Sequence, residues 1–201
     1  MTRIIAGRAR SVRLSVPSAG TRPTSERVRE ALFSTLESWD AIAGSRVLDL
    51  YAGSGALGLE AASRGAASVV LVERNAKAAA LCRANAALVS RALGPRPVPV
   101  EVVVRSVRSH LTIAGSPADL VLVDPPYDVS EEEIAADLEG VARVLSPEGV
   151  LVVERSSRSP EPTWPAGVEA IRSRAYGETT LWFAEAVSPE TMSAETDETA
   201  L

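Results

Sequence analysis

The chain has 201 residues, 46% of them hydrophobic and 23% charged, which suits one globular domain with its own core. One cysteine, Cys82, and one histidine, His110, exclude an internal disulfide, a cysteine-based zinc cluster and any scheme needing two histidines. No apolar run approaches the roughly 20 residues that cross a bilayer, so neither a membrane nor a metal is expected as a partner, and a reducing cytoplasm is the expected setting.

The net charge of −5 is unevenly spread. The first 25 residues carry Arg3, Arg8, Arg10, Arg13 and Arg22 and no acid, while the last 14 carry Glu190, Glu195, Asp197 and Glu198 and no base. An Arg-rich start could be a transit peptide. Against that, Ile4, Ile5, Val12, Leu14 and Val16 alternate like strand residues. Residues 1–22 are therefore expected to form a small basic β-hairpin around Gly7, suited to phosphates.

Arg22-Pro-Thr-Ser25 opens a helix whose Val28, Ala31, Leu32, Leu36 and Trp39 follow helical spacing. Short β-rich runs then alternate with helical ones. The strands are Arg46–Leu50, Ser68–Glu73, Val100–Val104, Asp119–Asp124, Val150–Glu154, Val168–Arg174 and Thr179–Ala186, with Gly177 turning between the last two. Helices are expected over Gly55–Arg64, and from an Asn75 cap to Leu93 with Gly94 after it. Ser130 and Glu133 form a capping box ahead of a third, which places Ile134, Leu138, Val141 and Leu145 on one face. This is the pattern of a seven-stranded, mostly parallel, doubly wound α/β sheet over residues 23–187. Residues 188–201 are polar and acidic and are expected to be disordered.

The first of these strands runs into Asp49-Leu-Tyr51-Ala-Gly53-Ser-Gly55-Ala-Leu-Gly58. Its glycines match the GxGxxG spacing of dinucleotide enzymes, and Glu73 ends the next strand, where it can accept from ribose hydroxyls. Taken alone, this fits a nicotinamide-dependent oxidoreductase as well as a methyltransferase. Asp49 separates the two. A carboxylate before the glycines repels a pyrophosphate but suits S-adenosylmethionine (SAM), which carries an ammonium and a sulfonium and no phosphate.

Asp124-Pro125-Pro126-Tyr127 supplies the second discriminator. An aromatic exocyclic amine is a poor nucleophile because its lone pair is delocalised into the ring. The Asp124 carboxylate and the Pro125 carbonyl can draw its N–H groups out of conjugation. The prolines fix those acceptors, and Tyr127 offers a face for a flipped base. Cys82 and His110, beside Leu81 and Leu111, and the three tryptophans Trp39, Trp164 and Trp182 read as packing, surface or rim residues.

Four blocks give the chain a family resemblance: Arg3-Ile-Ile-Ala-Gly-Arg8 with Arg13-Leu14, Arg22-Pro-Thr-Ser-Glu-Arg-Val-Arg-Glu-Ala-Leu-Phe33, the stretch Leu48 to Ala66, and Asp124 to Tyr127. It resembles the bacterial RsmD family of 16S rRNA guanine-N2 methyltransferases, over residues 2 to about 186. The resemblance implies a Rossmann-like class I SAM-dependent methyltransferase fold. It implies a substrate guanine in 16S rRNA, within the small ribosomal subunit or an assembly intermediate, held by Asp124 to Tyr127.

By motif position the cofactor set is Asp49, Tyr51, Gly53, Gly55, Glu73, Arg74, Ser106 and Thr24. Arg3, Arg8, Arg10, Arg13, Arg22 and Pro23 would meet the RNA. Two departures stand out. Tyr51 replaces the more usual Phe, and Arg105-Ser106 stands where an acid or amide usually holds the adenine. A DNA or RNA adenine-N6 methyltransferase remains an alternative, although 201 residues leave no room for a target-recognition domain. A protein-glutamine methyltransferase would tend to carry Asn at Asp124, and an RNA chaperone would not need Asp124 and Glu73. A monomer is expected, since the core is self-sufficient.

Overall fold

The computed structural model describes residues 2–16, 25–113 and 115–187. The acidic segment 188–201, and with it the expected disorder, lies outside the described residues, as do Arg22, Pro23 and Thr24.

The alternating N-terminal residues form a two-stranded antiparallel sheet, β1 (Thr2–Arg3) and β2 (Arg13–Leu14). Ile4, Ala9 and Leu14 turn inward and join the main core. At the turn, Gly7 has a φ of +77°, and a Cβ there would lie 2.1 Å from the carbonyl oxygen of Ser63, so only glycine permits the contact. Helix α1 (Glu26–Ser38) starts where the Ser25 hydroxyl accepts from Val28 N at 3.2 Å. It buries Val28, Leu32, Phe33 and Leu36, and Trp39 beyond its end meets Phe183 edge-on at 5.3 Å.

The remaining elements alternate as their periodicities require. They are β3 (Arg46–Leu50), α2 (Ala56–Ser63), β4 (Ser68–Glu73), α3 (Ala76–Leu93), β5 (Val100–Val104), α4 (Val107–Ile113), β6 (Ala118–Val123), α5 (Glu131–Ala142), β7 (Leu145–Ser156), β8 (Val168–Tyr176) and β9 (Thr179–Ala186). The sheet order is β5-β4-β3-β6-β7-β9-β8. The first five are parallel, and β9 runs antiparallel to both its neighbours. From β3 the chain steps outward to β5, then returns to lay β6 on the other side. The switch point therefore falls between β3 and β6, where such sheets open a crevice for ligands.

Both faces of the sheet are covered, which is why its central strands are continuously apolar. Val47, Leu71, Leu120, Leu122, Val150 and Val152 face one core, shared with α1, α2 and α3. Leu48, Val72, Val121, Val123, Leu151 and Val153 face the other, shared with α4 and α5.

Two expectations are corrected. Leu145 does not extend the apolar face of α5, because that helix stops at Ala142 and Leu145 opens β7. Pro147 disfavours helical backbone at Ser146, and Ala118 N donates to Val144 O at 2.7 Å, which draws the chain into the sheet. As a result β7 starts five residues before the expected Val150. Helix α4 was not expected. It has seven residues and buries only Val107 and Leu111, one turn apart.

Candidate active site

Four neighbouring strands each carry a carboxylate at or near their C-terminal end, all on the same face. In β3, β4 and β7, Asp49, Glu73 and Glu154 continue the alternation set by Val47, Leu71 and Val152. Asp124 continues that of Leu120 and Leu122, one residue past β6. In sheet order they read Glu73, Asp49, Asp124, Glu154. All four line one cleft of about 410 Å³ at the switch point.

Asp49 is 1% exposed. Its Oδ2 accepts from Gly58 N at 2.8 Å, while Oδ1 is buried with no hydrogen-bond partner among the described residues. Burial, against the Gly58 bond and reinforced by the charges of Asp124 and Glu73, pushes its pKa up to about 7. Gly58 must be glycine, since a Cβ there would lie 2.4 Å from Leu71 Cδ2 and 3.1 Å from Asp49 Oδ2. Gly53 and Gly55 hold left-handed φ values of +55° and +79°, and Gly55 caps α2. Glu73 Oε2 accepts from Gly53 N at 2.9 Å and Oε1 from Asn75 N at 2.7 Å. The acid thereby fixes the glycine turn while facing the cleft.

Tyr51 also has a positive φ, +63°. Its hydroxyl donates to Asp137 Oδ2, a carboxylate buried on α5, and burial and this bond together raise the pKa of the phenol. The hydroxyl that sets Tyr51 apart from Phe thus anchors one cleft wall to a helix. Pro125 is buried, Asp124 and Pro126 are half-buried, and Tyr127 is 62% exposed beside the cleft mouth. Arg74 is exposed and lines the same cleft.

Ser106 takes a different place. Its hydroxyl accepts from Ser109 N at 3.3 Å, capping α4, and the next residue, Val107, lines the cleft in its stead. The N-terminal arginines do not converge. Arg3 pairs with Glu26 at 3.2 Å on the surface. Arg8 donates to Leu93 O and Arg96 O at the end of α3, where a cation meets the negative pole of the helix. Arg10 and Arg13 are exposed.

The sequence reading gave no site role to Glu154, Arg29 or Asn85, and it read Cys82 as packing. Glu154 is 8% exposed, and its signal was the one used for Asp49 and Asp124, an acid ending an apolar strand. Arg29, 1% exposed, lines the cleft from α1 and donates to Thr2 Oγ1 and Arg3 O. Asn85, fully buried on α3, accepts from Ser15 N and donates to Ser15 O and Ser54 O, so it ties the end of the hairpin to the glycine turn. Cys82 Sγ donates to Gly53 O at 3.0 Å. Nothing in local spacing announces the last three.

The donor set fits SAM. Asp49 Oδ1 is a buried acceptor that needs a cation or a donor. Glu73 stands where ribose hydroxyls are read, and the adjacent carboxylates disfavour a phosphate-bearing nucleotide. A sheet with this switch point, glycine turn and row of acids, followed by Asp124-Pro-Pro-Tyr127, defines a class I SAM-dependent methyltransferase.

Comparison with known proteins narrows the class. The family model described as conserved hypothetical protein 95 matches residues 2–185, and the chain belongs to that family, the RsmD family. The chain is 36% identical over 177 residues to ribosomal RNA small subunit methyltransferase D of Escherichia coli K12, covering 88% of this chain and 85% of that protein. Among solved structures it is similar to Escherichia coli yhhF, described as a candidate methyltransferase. The TM-score is 0.79 at 32% identity, over 92% of this chain and 97% of that one. A hypothetical protein of Thermus thermophilus aligns with a TM-score of 0.75 at 31% identity, over 91% and 98% of the two chains.

Proposed function

We propose that the enzyme methylates the exocyclic N2 amine of a guanine in 16S rRNA. It acts as a monomer in the cytoplasm, on the small ribosomal subunit or an assembly intermediate. The observation that carries this reading is the adjacency of Asp124-Pro-Pro-Tyr127, at the tip of β6, to the cofactor acids at the tips of β3 and β4 in one cleft. The kinship with an enzyme named for ribosomal RNA of the small subunit supports the substrate class.

Bound SAM supplies an electrophilic methyl group on a sulfonium. The chain supplies orientation and acceptors. Asp49 takes the ammonium of the amino-acid end, and Glu73 takes the ribose. Tyr127 stacks a base flipped out of its helix, and Pro125 and Pro126 hold the backbone rigid beneath it. The Asp124 carboxylate and the Pro125 carbonyl accept the two N–H bonds of the amine, which localises the nitrogen lone pair. With SAM held there, the localised lone pair would take the methyl group, and Asp124 or water would accept the proton that the alkylated nitrogen releases. Arg3, Arg8, Arg10 and Arg13, with Arg22 and Pro23, present a basic surface to the RNA backbone.

The test incubates the enzyme with labelled SAM and small subunits from cells lacking this activity, then maps the methylated nucleotide. Label at the N2 of one guanine is expected. Label on adenine N6, or none on 16S rRNA, rejects the assignment. Asp124→Ala should abolish transfer and largely spare SAM binding. Equal losses of both contradict its role at the amine.

A further inference from the structure

We infer that Glu154 is the residue that selects guanine, by accepting a hydrogen bond from its N1–H. This deepens the guanine-N2 reading above and rests on it.

Glu154 ends the central part of β7, immediately beside β6. The register pairs Val123 with Val153, so Asp124 and Glu154 stand level on neighbouring strands. Adjacent strands lie about 4.8 Å apart. Both side chains continue the face of Leu122 and Val152 and line the cleft. Arg155, next along β7, takes the opposite face, where it donates to Val129 O and Glu131 Oε1. The direction of Glu154 therefore follows from the pleat as well as from the lining.

The four acids divide into two pairs. Glu73 and Asp49 stand beside the glycine turn and serve the cofactor. Asp124 and Glu154 stand level at the β6–β7 side of the cleft, and a carboxylate with two oxygens can accept from a base while keeping another partner. The Watson–Crick edge of guanine presents two neighbouring donor groups, the N2 amine and N1–H. Asp124 holds the first as the reaction requires. Glu154, on the next strand and only 8% exposed, is placed for the second. Adenine offers one amine beside an N1 that is itself an acceptor. Turning its amine to Asp124 would set a lone pair against a buried carboxylate. A site built to hydrogen-bond a substrate N–H rejects the analogue lacking it far more strongly than an apolar pocket rejects a size change, by as much as roughly 10,000-fold.

The test uses 2-aminopurine, which keeps the N2 amine but has a bare N1. Small subunits are reconstituted with 16S rRNA carrying either guanine or 2-aminopurine at the mapped nucleotide, and single-turnover rates are compared. Wild-type enzyme is expected to prefer guanine by about 100-fold or more. Glu154→Met, and the isosteric Glu154→Gln as a second variant, are expected to slow guanine and narrow that preference, Met to within a few-fold. SAM affinity measured by calorimetry on each variant should match wild type.

Three results separate the ways this can fail. Label on a base other than guanine in the wild-type experiment overturns the guanine reading and this inference with it. Guanine-N2 label with equal wild-type rates on the two bases leaves the reading standing and overturns the role of Glu154. So does a full guanine preference retained by Glu154→Met.

Discussion

The buried carboxylate of Glu60 takes the backbone N–H of Ile5 at 2.7 Å, across 55 residues of sequence. Its other oxygen accepts from Ala6 N at 2.9 Å and from Arg64 Nε at 2.8 Å, and Arg29 Nε lies 4.0 Å from the oxygen that takes Ile5. Three residues on, Ser63 donates to Ala6 O and accepts from Ala9 N. The N-terminal hairpin is thus clamped to the helix that begins at the cofactor turn. Glu60→Ala removes the acceptor for two backbone donors and leaves Arg29 and Arg64 without their buried counter-charge. Breaking a buried pair in this way costs roughly 3–5 kcal/mol. At about 2–4 °C per kcal/mol for a domain of this size, the melting temperature should fall markedly in calorimetry. Hydrogen exchange should rise first over residues 2–16. A melting curve superimposable on wild type would mean that the clamp contributes nothing.

With Asp49 at the cofactor as proposed, SAM binding should depend on pH. The pKa of Asp49, about 7 in place of 3.8, means that below pH 7 the folded protein without ligand favours the protonated acid. A folded pKa raised above the unfolded value makes the unliganded fold lose stability as pH climbs from 3.8 through about 7. A cation at Oδ1 favours the carboxylate, so binding SAM releases a proton below pH 7. Calorimetric affinity for SAM should rise from pH 5.5 to about 7 and then level. The observed heat should vary with buffer ionisation enthalpy only on the rising limb. Asp49→Asn should flatten the profile and cost about 1.5–3 kcal/mol, roughly 10- to 150-fold in affinity. A pH-independent affinity in the wild type would show that Asp49 does not meet the cation.

The strands and the glycine turn were legible because their signals are local. Asp49, Gly53, Gly55 and Glu73 lie at fixed offsets from apolar runs, and Asn75 and Ser130 cap their helices as read. Helix α4 escaped because seven residues with apolar positions only at Val107 and Leu111 carry no period. The same brevity hid the helix cap that the Ser106 hydroxyl makes with Ser109 N. Leu145 failed for the opposite reason. Its spacing after Val141 is helical, but strand pairing outweighed it. The clamps at Glu60 and Asn85 join residues 54–55 and 70 positions apart, and no window of sequence contains such a pair.

Cys82 reports on the closure of the cofactor turn. The thiol is fully buried under Gly55, 3.4 Å from where a Cβ would stand, and donates to Gly53 O. Burial, with the charges of Asp49 and Glu73, pushes its pKa up to about 12. The thiolate is the reactive species, so labelling at pH 8 should run about 1,000-fold slower than for an exposed thiol. Unfolding in urea should restore the ordinary rate. Rapid modification of the folded protein by a thiol reagent would show that the turn opens readily, contrary to this packing.

The arginines of the hairpin should separate into two kinds. Arg8 donates to carbonyls at the end of α3, so Arg8→Ala removes structural bonds along with a charge. Arg10 and Arg13 are exposed on the hairpin, where charge can face a phosphate backbone without disturbing the fold. Each phosphate contact contributes about 0.7–0.9 to the slope of log affinity against log salt. The double variant Arg10→Ala, Arg13→Ala should therefore bind 16S rRNA fragments more weakly, with a slope shallower by about 1.5. Its melting temperature and SAM affinity should stay at wild-type values, while Arg8→Ala should also lower the melting temperature. Filter binding from low to moderate salt decides the matter. An unaltered slope in the double variant would place the RNA on another surface.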